Sequence, residues 1–269
     1  MLIACVGSLS ISLPGCAPGV GVSLVEQSTS QLSVEQIQVH ARSISVKVLS
    51  AEVLGSGFLI KQQDEVYTVL TNEHVLRAGD APYRIQTPDG KIYQAEVPKN
   101  TEFKGNDLAL LQFRSPRVAY AVAELGSSST LTVGQKVFAA GFAEADEESR
   151  VGLFKFTSGQ VSNVLNKALE GGYQVGYTND IEKGMSGGPL LNHWGKVIGV
   201  NGKHAYPIWN VTSVFQDGSK ASPDLQETIN RFSWAVPIET VLQLAPPSIK
   251  LNTSFNQKTV FYDSFVEVL

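Results

Sequence analysis

Short runs of β-branched and aromatic residues, each too brief for an ordinary helix, recur along this chain between turn signals and restrict the fold more than any other feature. They occupy 44–48, 66–70, 108–113, 136–140, 172–177 and 197–200, with punctuation such as Pro88-Asp89-Gly90 between them. Many short strands must hide their edges, so an all-β fold of closed barrels is expected. The 269 residues, 43% hydrophobic, suffice for one substantial core or two small ones. Both cysteines, Cys5 and Cys16, lie at the extreme N-terminus, which leaves the body to be held by packing with no disulfide and no Cys-based metal site. Short helices are expected at 34–41 behind Ser33, at 223–232 behind Ser222 and at 237–244 from Pro237.

One turn stands apart from the others. Gly184-Met185-Ser186-Gly187-Gly188-Pro189 sets three glycines around a single serine just before an apolar Leu190-Leu191. At background frequencies, G-x-S-G-G-P arises by chance in such a chain with a probability of about 10⁻³ to 10⁻⁴. A serine hydroxyl becomes a nucleophile only when a base takes its proton, and that base needs a partner that holds its tautomer. Thr71-Asn72-Glu73-His74-Val75 places His74 just past a strand, and Asn106-Asp107-Leu108 places Asp107 at the mouth of another. The order His74, Asp107, Ser186 is that of one class of serine hydrolase and differs from two others. Singly, His74 would be read as a surface histidine and Asp107 as a turn residue; the constellation is what marks them as catalytic.

With these residues in this order, the chain resembles the trypsin/chymotrypsin superfamily, and within it the disulfide-free bacterial branch of HtrA-like and trypsin-2-type peptidases. Gly55-Ser56-Gly57-Phe58-Leu59-Ile60 is similar to that branch's strand before the histidine, and Phe156-Thr157-Ser158-Gly159-Gln160-Val161-Ser162 to the strand opening its second barrel. Gly195-Lys196-Val197-Ile198-Gly199-Val200-Asn201 and Trp234-Ala235-Val236-Pro237-Ile238 match segments after the serine. The resemblance implies two six-stranded antiparallel β-barrels over 34–245, joined near 125–133, with the active site in the cleft between them. It also implies a serine endopeptidase acting through an acyl-enzyme, without cofactor or metal, with an oxyanion hole formed by the backbone N–H groups of Gly184 and Ser186. A catalytically silent, peptide-binding relative at the cell envelope is the alternative.

Two departures from the trypsin pattern matter. Met185 stands where digestive relatives carry an aspartate that pairs with a new N-terminus, so that activation switch cannot operate. Gly202 stands where a serine often supports the triad aspartate, so support for Asp107 must come from elsewhere. The resemblance places the substrate along 200–203, bound as an added strand, which makes Ile181, Asn201, Gly202, Lys203 and His204 candidate substrate-binding residues. Asp180 lies six residues before Ser186, the spacing of a pocket-floor aspartate that selects basic P1 side chains; the HtrA-like branch prefers small aliphatic ones, and both readings stay open. Trp209 and Phe215 lie in a long excursion over 204–231 that could line the pocket, cover it or pack on the surface.

Composition narrows the partners. A net charge of −4 without a dense Lys/Arg cluster argues against nucleic acid, while the resemblance implies polypeptide substrates. His40, His193 and His204 lack metal-ligand spacing, and His40 and His193 read as surface residues. Residues 1–25 carry no charged side chain, and the apolar run ending at Leu13 is too short to span a bilayer, which needs about 20 residues. It suits a secretory leader followed by a linker to residue 33, and so an exported, periplasmic or envelope protein. Leu13-Pro14-Gly15-Cys16 resembles a lipoprotein box with Cys16 as the acylated anchor. About 25 residues follow Leu244, so no further domain is expected there. The apolar 246–269 segment is expected to pack back on the body as a strand.

Overall fold

The computed structural model describes residues 31–50, 53–144, 152–206, 212–247, 249 and 251. Cys5, Cys16, Trp209 and most of the 246–269 segment lie outside them. Helix α1 (Val34–Ile44) opens the fold with a capping box in which Ser33 and Gln36 exchange hydrogen bonds. Ile37, Ala41 and Ile44 follow at helical spacing and are buried on one face, so the helix runs three residues past the expected 41.

The first six-stranded sheet comprises β1 (Ser45–Ser50), β2 (Val53–Gln63), β3 (Val66–Thr71), β4 (Tyr83–Gln86), β5 (Ile92–Ala95) and β6 (Ala109–Arg114), with the short helix α2 (Glu73–Arg77) after β3. Its antiparallel order is β5-β4-β1-β2-β3-β6. Reciprocal backbone bonds between Glu96 and Gln112, at 2.9 and 2.8 Å, bring its two edges together and nearly close the barrel. Alternate residues such as Val46, Val48, Leu59, Tyr67, Val69, Ile85 and Leu111 fill its interior.

The second barrel is closed. It is built from β7 (Lys136–Ala143), β8 (Leu153–Val164), β9 (Val175–Tyr177), β10 (Pro189–Leu191), β11 (Val197–Lys203) and β12 (Ser233–Pro237), in the order β10-β11-β12-β9-β8-β7. Helix α3 (Pro223–Arg231), capped by Ser222, enters β12, and α4 (Ile238–Leu244) leaves it. Trp234 is fully buried and donates its indole N–H to Ile229 O at 2.8 Å, which ties α3 to the barrel.

Two expectations are corrected. The second barrel opens with β7, not with the 156–162 stretch, which is the middle of β8. Seven consecutive residues of β7 are buried because one face lines its own barrel and the other lies against the first, so alternation gives no clue there. The expected 172–177 strand shrinks to β9 because the chain turns at Gly171 and Gly172, with φ of +80° and +84°. In the segment after α4, Ile249 is 4% exposed and joins the main core, while Val260, Phe261, Tyr262, Phe265 and Val266 lie outside the described residues.

Candidate active site

Strand pairing explains why His74 and Asp107 meet. Thr71, the last residue of β3, pairs with Ala109, the first of β6, so the chain just after one strand lies beside the chain just before the other. Asn72 stitches the two by donating its amide to Asp107 O at 2.7 Å, and α2 then carries His74 over the carboxylate. His74 Nδ1 lies 2.5 Å from Asp107 Oδ2, and the His74 backbone N–H donates to Oδ1 at 2.8 Å. An ionised carboxylate only accepts, so Nδ1 carries the proton, and in the neutral imidazole the Nε2 lone pair is left free. The Tyr173 hydroxyl donates to the same Oδ2. The Asp107 side chain is 9% exposed. Burial pushes its carboxyl up, yet the hydrogen bonds and charge of His74 and the Tyr173 hydroxyl outweigh that and hold it below the usual carboxylate value.

Ser186 sits between two consecutive turns, closed by Met185 N–H to Glu182 O at 3.0 Å and Gly188 N–H to Met185 O at 3.1 Å. Gly184 has φ +92°, and a Cβ there would lie 2.5 Å from Phe142 O, so no other residue fits without moving β7. Met185 is fully buried in the core of the second barrel and acts as an apolar anchor for the loop. Among the described residues nothing accepts from the backbone N–H of Gly184 or of Ser186. The Ser186 hydroxyl is half-buried and reaches only Gly202 O, at 3.5 Å; it makes no hydrogen bond to His74 in this conformation.

The remaining candidate residues divide by location. Asp180 is exposed and has no hydrogen bond or ion pair among the described residues. Ile181 is 6% exposed and packs in the core of the second barrel with Met185, Tyr177 and Leu190. Asn201 is fully committed inside the protein: its side chain accepts from the Tyr177 hydroxyl and donates to Ala140 O and Pro189 O, and its backbone pairs with Gly187 and Gly188. Gly202 turns its carbonyl toward Ser186. Lys203 is half-buried, with burial lowering its ammonium pKa, and donates to Ser213 Oγ at 3.5 Å, while His204 is exposed. His40 and His193 are half-buried rather than plainly surface residues, and burial lowers the pKa of both. The described part of the 204–231 excursion packs on the chain before Tyr173, through Glu170 N–H to Val214 O at 2.8 Å and a bridge between Leu169 and Phe215.

Ser56 has a task at the site that its sequence setting does not announce. Its hydroxyl donates to Gly184 O at 2.7 Å and accepts from Phe142 N–H at 2.7 Å, and its N–H donates to Ser186 O at 2.9 Å, so the first barrel holds the serine loop of the second. The only local signal is a serine flanked by glycines in a strand. Ser56→Ala strands a buried donor and a buried acceptor, and is expected to cost roughly 2 to 4 kcal/mol, read as a lower urea midpoint. A larger loss in kcat than in KM should accompany it, because Gly184 loses its anchor.

Comparison with known proteins agrees with this fold. A model of the trypsin-like peptidase domain fits residues 55–200, just over half of the chain. The chain is 33% identical over 150 residues to the serine protease Do-like HtrA of Bacillus subtilis, across 55% of this chain and 32% of that protein. It is 35% identical over 154 residues to the putative serine protease HhoA of Synechocystis sp., across 55% of this chain and 36% of that one. The match therefore spans about a third of the length of these curated relatives. The crystal structure of Deg5 shares the fold with a TM-score of 0.55 at 24% identity, covering 79% of this chain and 94% of that one. The serine endoprotease from Yersinia pestis does so with a TM-score of 0.55 at 20% identity, covering 80% and 65%. Two antiparallel barrels, a serine loop held between them and a domain model matched over more than half of the residues agree: the chain belongs to the trypsin-like peptidase family.

Proposed function

We propose that this chain is a serine endopeptidase that hydrolyses polypeptides through an acyl-enzyme on Ser186. The observation that carries the reading is the half-exposed His74 held on the buried carboxylate of Asp107, beside a serine loop whose Gly184 and Ser186 N–H groups have no acceptor among the described residues. In the reaction, His74 Nε2 takes the proton of Ser186 as its oxygen adds to the peptide carbonyl. The tetrahedral oxyanion is received by the N–H groups of Gly184 and Ser186, an interaction worth about 3 to 4 kcal/mol per donor in a comparable enzyme. His74 then gives its proton to the leaving amine, and water repeats the sequence on the acyl group. Asp107 stays ionised throughout and stabilises the imidazolium.

The substrate backbone binds along the end of β11, where β10 pairs only as far as Val200 and the Gly202 carbonyl is turned toward the serine. Asn201 has no group left to offer it. The free carboxylate of Asp180 supports a basic P1 side chain, and small aliphatic P1 is the competing reading. Arg- and Val-ended fluorogenic peptides separate them: Asp180→Ala should lower kcat/KM for the Arg peptide about ten-fold or more, and equal rates in both proteins would sink the assignment.

The silent, peptide-binding alternative draws on one observation, the missing Ser186–His74 hydrogen bond. Such bonds are often loose in unliganded enzymes and tighten with substrate. Fluorophosphonate labelling and casein cleavage decide between the two. Absence of Ser186-dependent labelling and of cleavage would overturn the endopeptidase.

A further inference from the structure

Resting on that reading of the site, we propose that Tyr173 is a positioning residue for the His74–Asp107 pair, its phenol supplying from the second barrel the hydrogen bond that β11, with glycine at 202, cannot provide. Tyr173 is 7% exposed, and its hydroxyl donates to Asp107 Oδ2, the oxygen that also receives His74 Nδ1. A Cβ on Gly202 would lie 2.3 Å from the Tyr173 oxygen and 2.9 Å from its Cε1. The phenol therefore fills the space that a side chain at 202 would take, so its position requires glycine there.

The segment that carries Tyr173 is built to hold it there. Asp107 N–H donates to Gly171 O at 2.8 Å, Gly172 N–H to Leu169 O at 2.8 Å, and Leu169 N–H to Tyr173 O at 2.9 Å. Gln216, from the excursion, donates to Asn106 Oδ1 at 2.9 Å. Asp107 leads into β6 of the first barrel, while Tyr173 leads into β9 of the second. The carboxylate is thus gripped across the cleft through both its backbone and its side chain, which couples its orientation to the seating of the two barrels. Burial, and then the adjacent Asp107 charge, push the phenol well above its ordinary value, so it remains a donor at any working pH.

Tyr173→Phe removes the hydroxyl and keeps the ring. It is expected to lower kcat about ten- to thirty-fold, the scale of a hydrogen bond to a charged group, with KM within about two-fold. The loss is one of alignment, because a carboxylate no longer fixed by the phenol does not hold the imidazole in one orientation. In an Asp107→Asn background the same change should cost nothing further, because its effect passes through the carboxylate. The proton between His74 and Asp107, followed by NMR in Ser186→Ala protein, should shift on Tyr173→Phe. That readout needs no turnover, so a silent chain would refute the endopeptidase and still test Tyr173. An unmoved resonance would overturn the proposal, as would losses that simply add in the double variant.

Discussion

Ser186→Ala is expected to lower kcat/KM on casein by a factor on the order of 10⁶ and to abolish fluorophosphonate labelling, leaving the fold as stable as before. The size follows from the chemistry. Without the hydroxyl no acyl-enzyme forms, and what survives is the roughly 10³- to 10⁴-fold acceleration over water that binding and the oxyanion donors supply. The unchanged stability follows from the structure, since among the described residues the Ser186 hydroxyl makes one hydrogen bond, a 3.5 Å approach to Gly202 O, and its removal strands no buried partner. Matched thermal melts and progress curves on the two proteins check both halves. Labelling or cleavage that persists in the variant would show that another residue is the nucleophile.

Asp107→Asn is the second large effect, expected to lower kcat about 10⁴-fold at neutral pH. The carboxylate accepts from the His74 backbone at Oδ1, and from His74 Nδ1 and Tyr173 at Oδ2. An amide offers one oxygen and one NH₂ to these three donors. Either His74 loses its partner or the imidazole is forced to carry its proton on Nε2, where it cannot act as base. The same mismatch lowers stability, with a pH dependence whose sign is set by the direction of the Asp107 shift. The folded carboxyl lies below its unfolded value near 3.8, so its contribution is complete above that value and is lost as pH falls through the lower folded one. Thermal melts of both proteins at descending pH should show the stability gap narrowing only in that acid range. A gap that stayed constant to the lowest pH would assign the loss to packing instead.

Much of the fold is legible in the residue pattern alone. The strands expected at 66–70 and 108–113 appear as Val66–Thr71 and Ala109–Arg114, and the helix behind Ser222 appears as Pro223–Arg231. These rest on local physics: alternation along a strand, a serine at an N-cap and proline at a first turn. Sidedness is harder to read. Ile181 and Asn201 flank the serine loop in sequence, yet one packs in the barrel core and the other spends every polar group inside the protein. Where a strand or loop is covered on both sides, period-two patterning carries no information about which side faces the cleft.

The sequence by itself determined which candidates are on offer: His74, Asp107 and Ser186 in that order, a glycine-shaped turn around the serine, and an uncharged Met185 beside it. These are statements about residue type and local backbone geometry, which a few neighbouring residues suffice to specify. Only the tertiary structure decided what stands behind Asp107 and the serine loop. Gly202 announced that a support for Asp107 was missing from β11, but the hydroxyl that fills the gap comes from Tyr173, 66 positions from the aspartate and on the other barrel. The hydroxyl that braces Gly184 comes from Ser56, 128 positions away. Contacts of that range depend on how the two barrels seat against each other, and no local pattern encodes that seating.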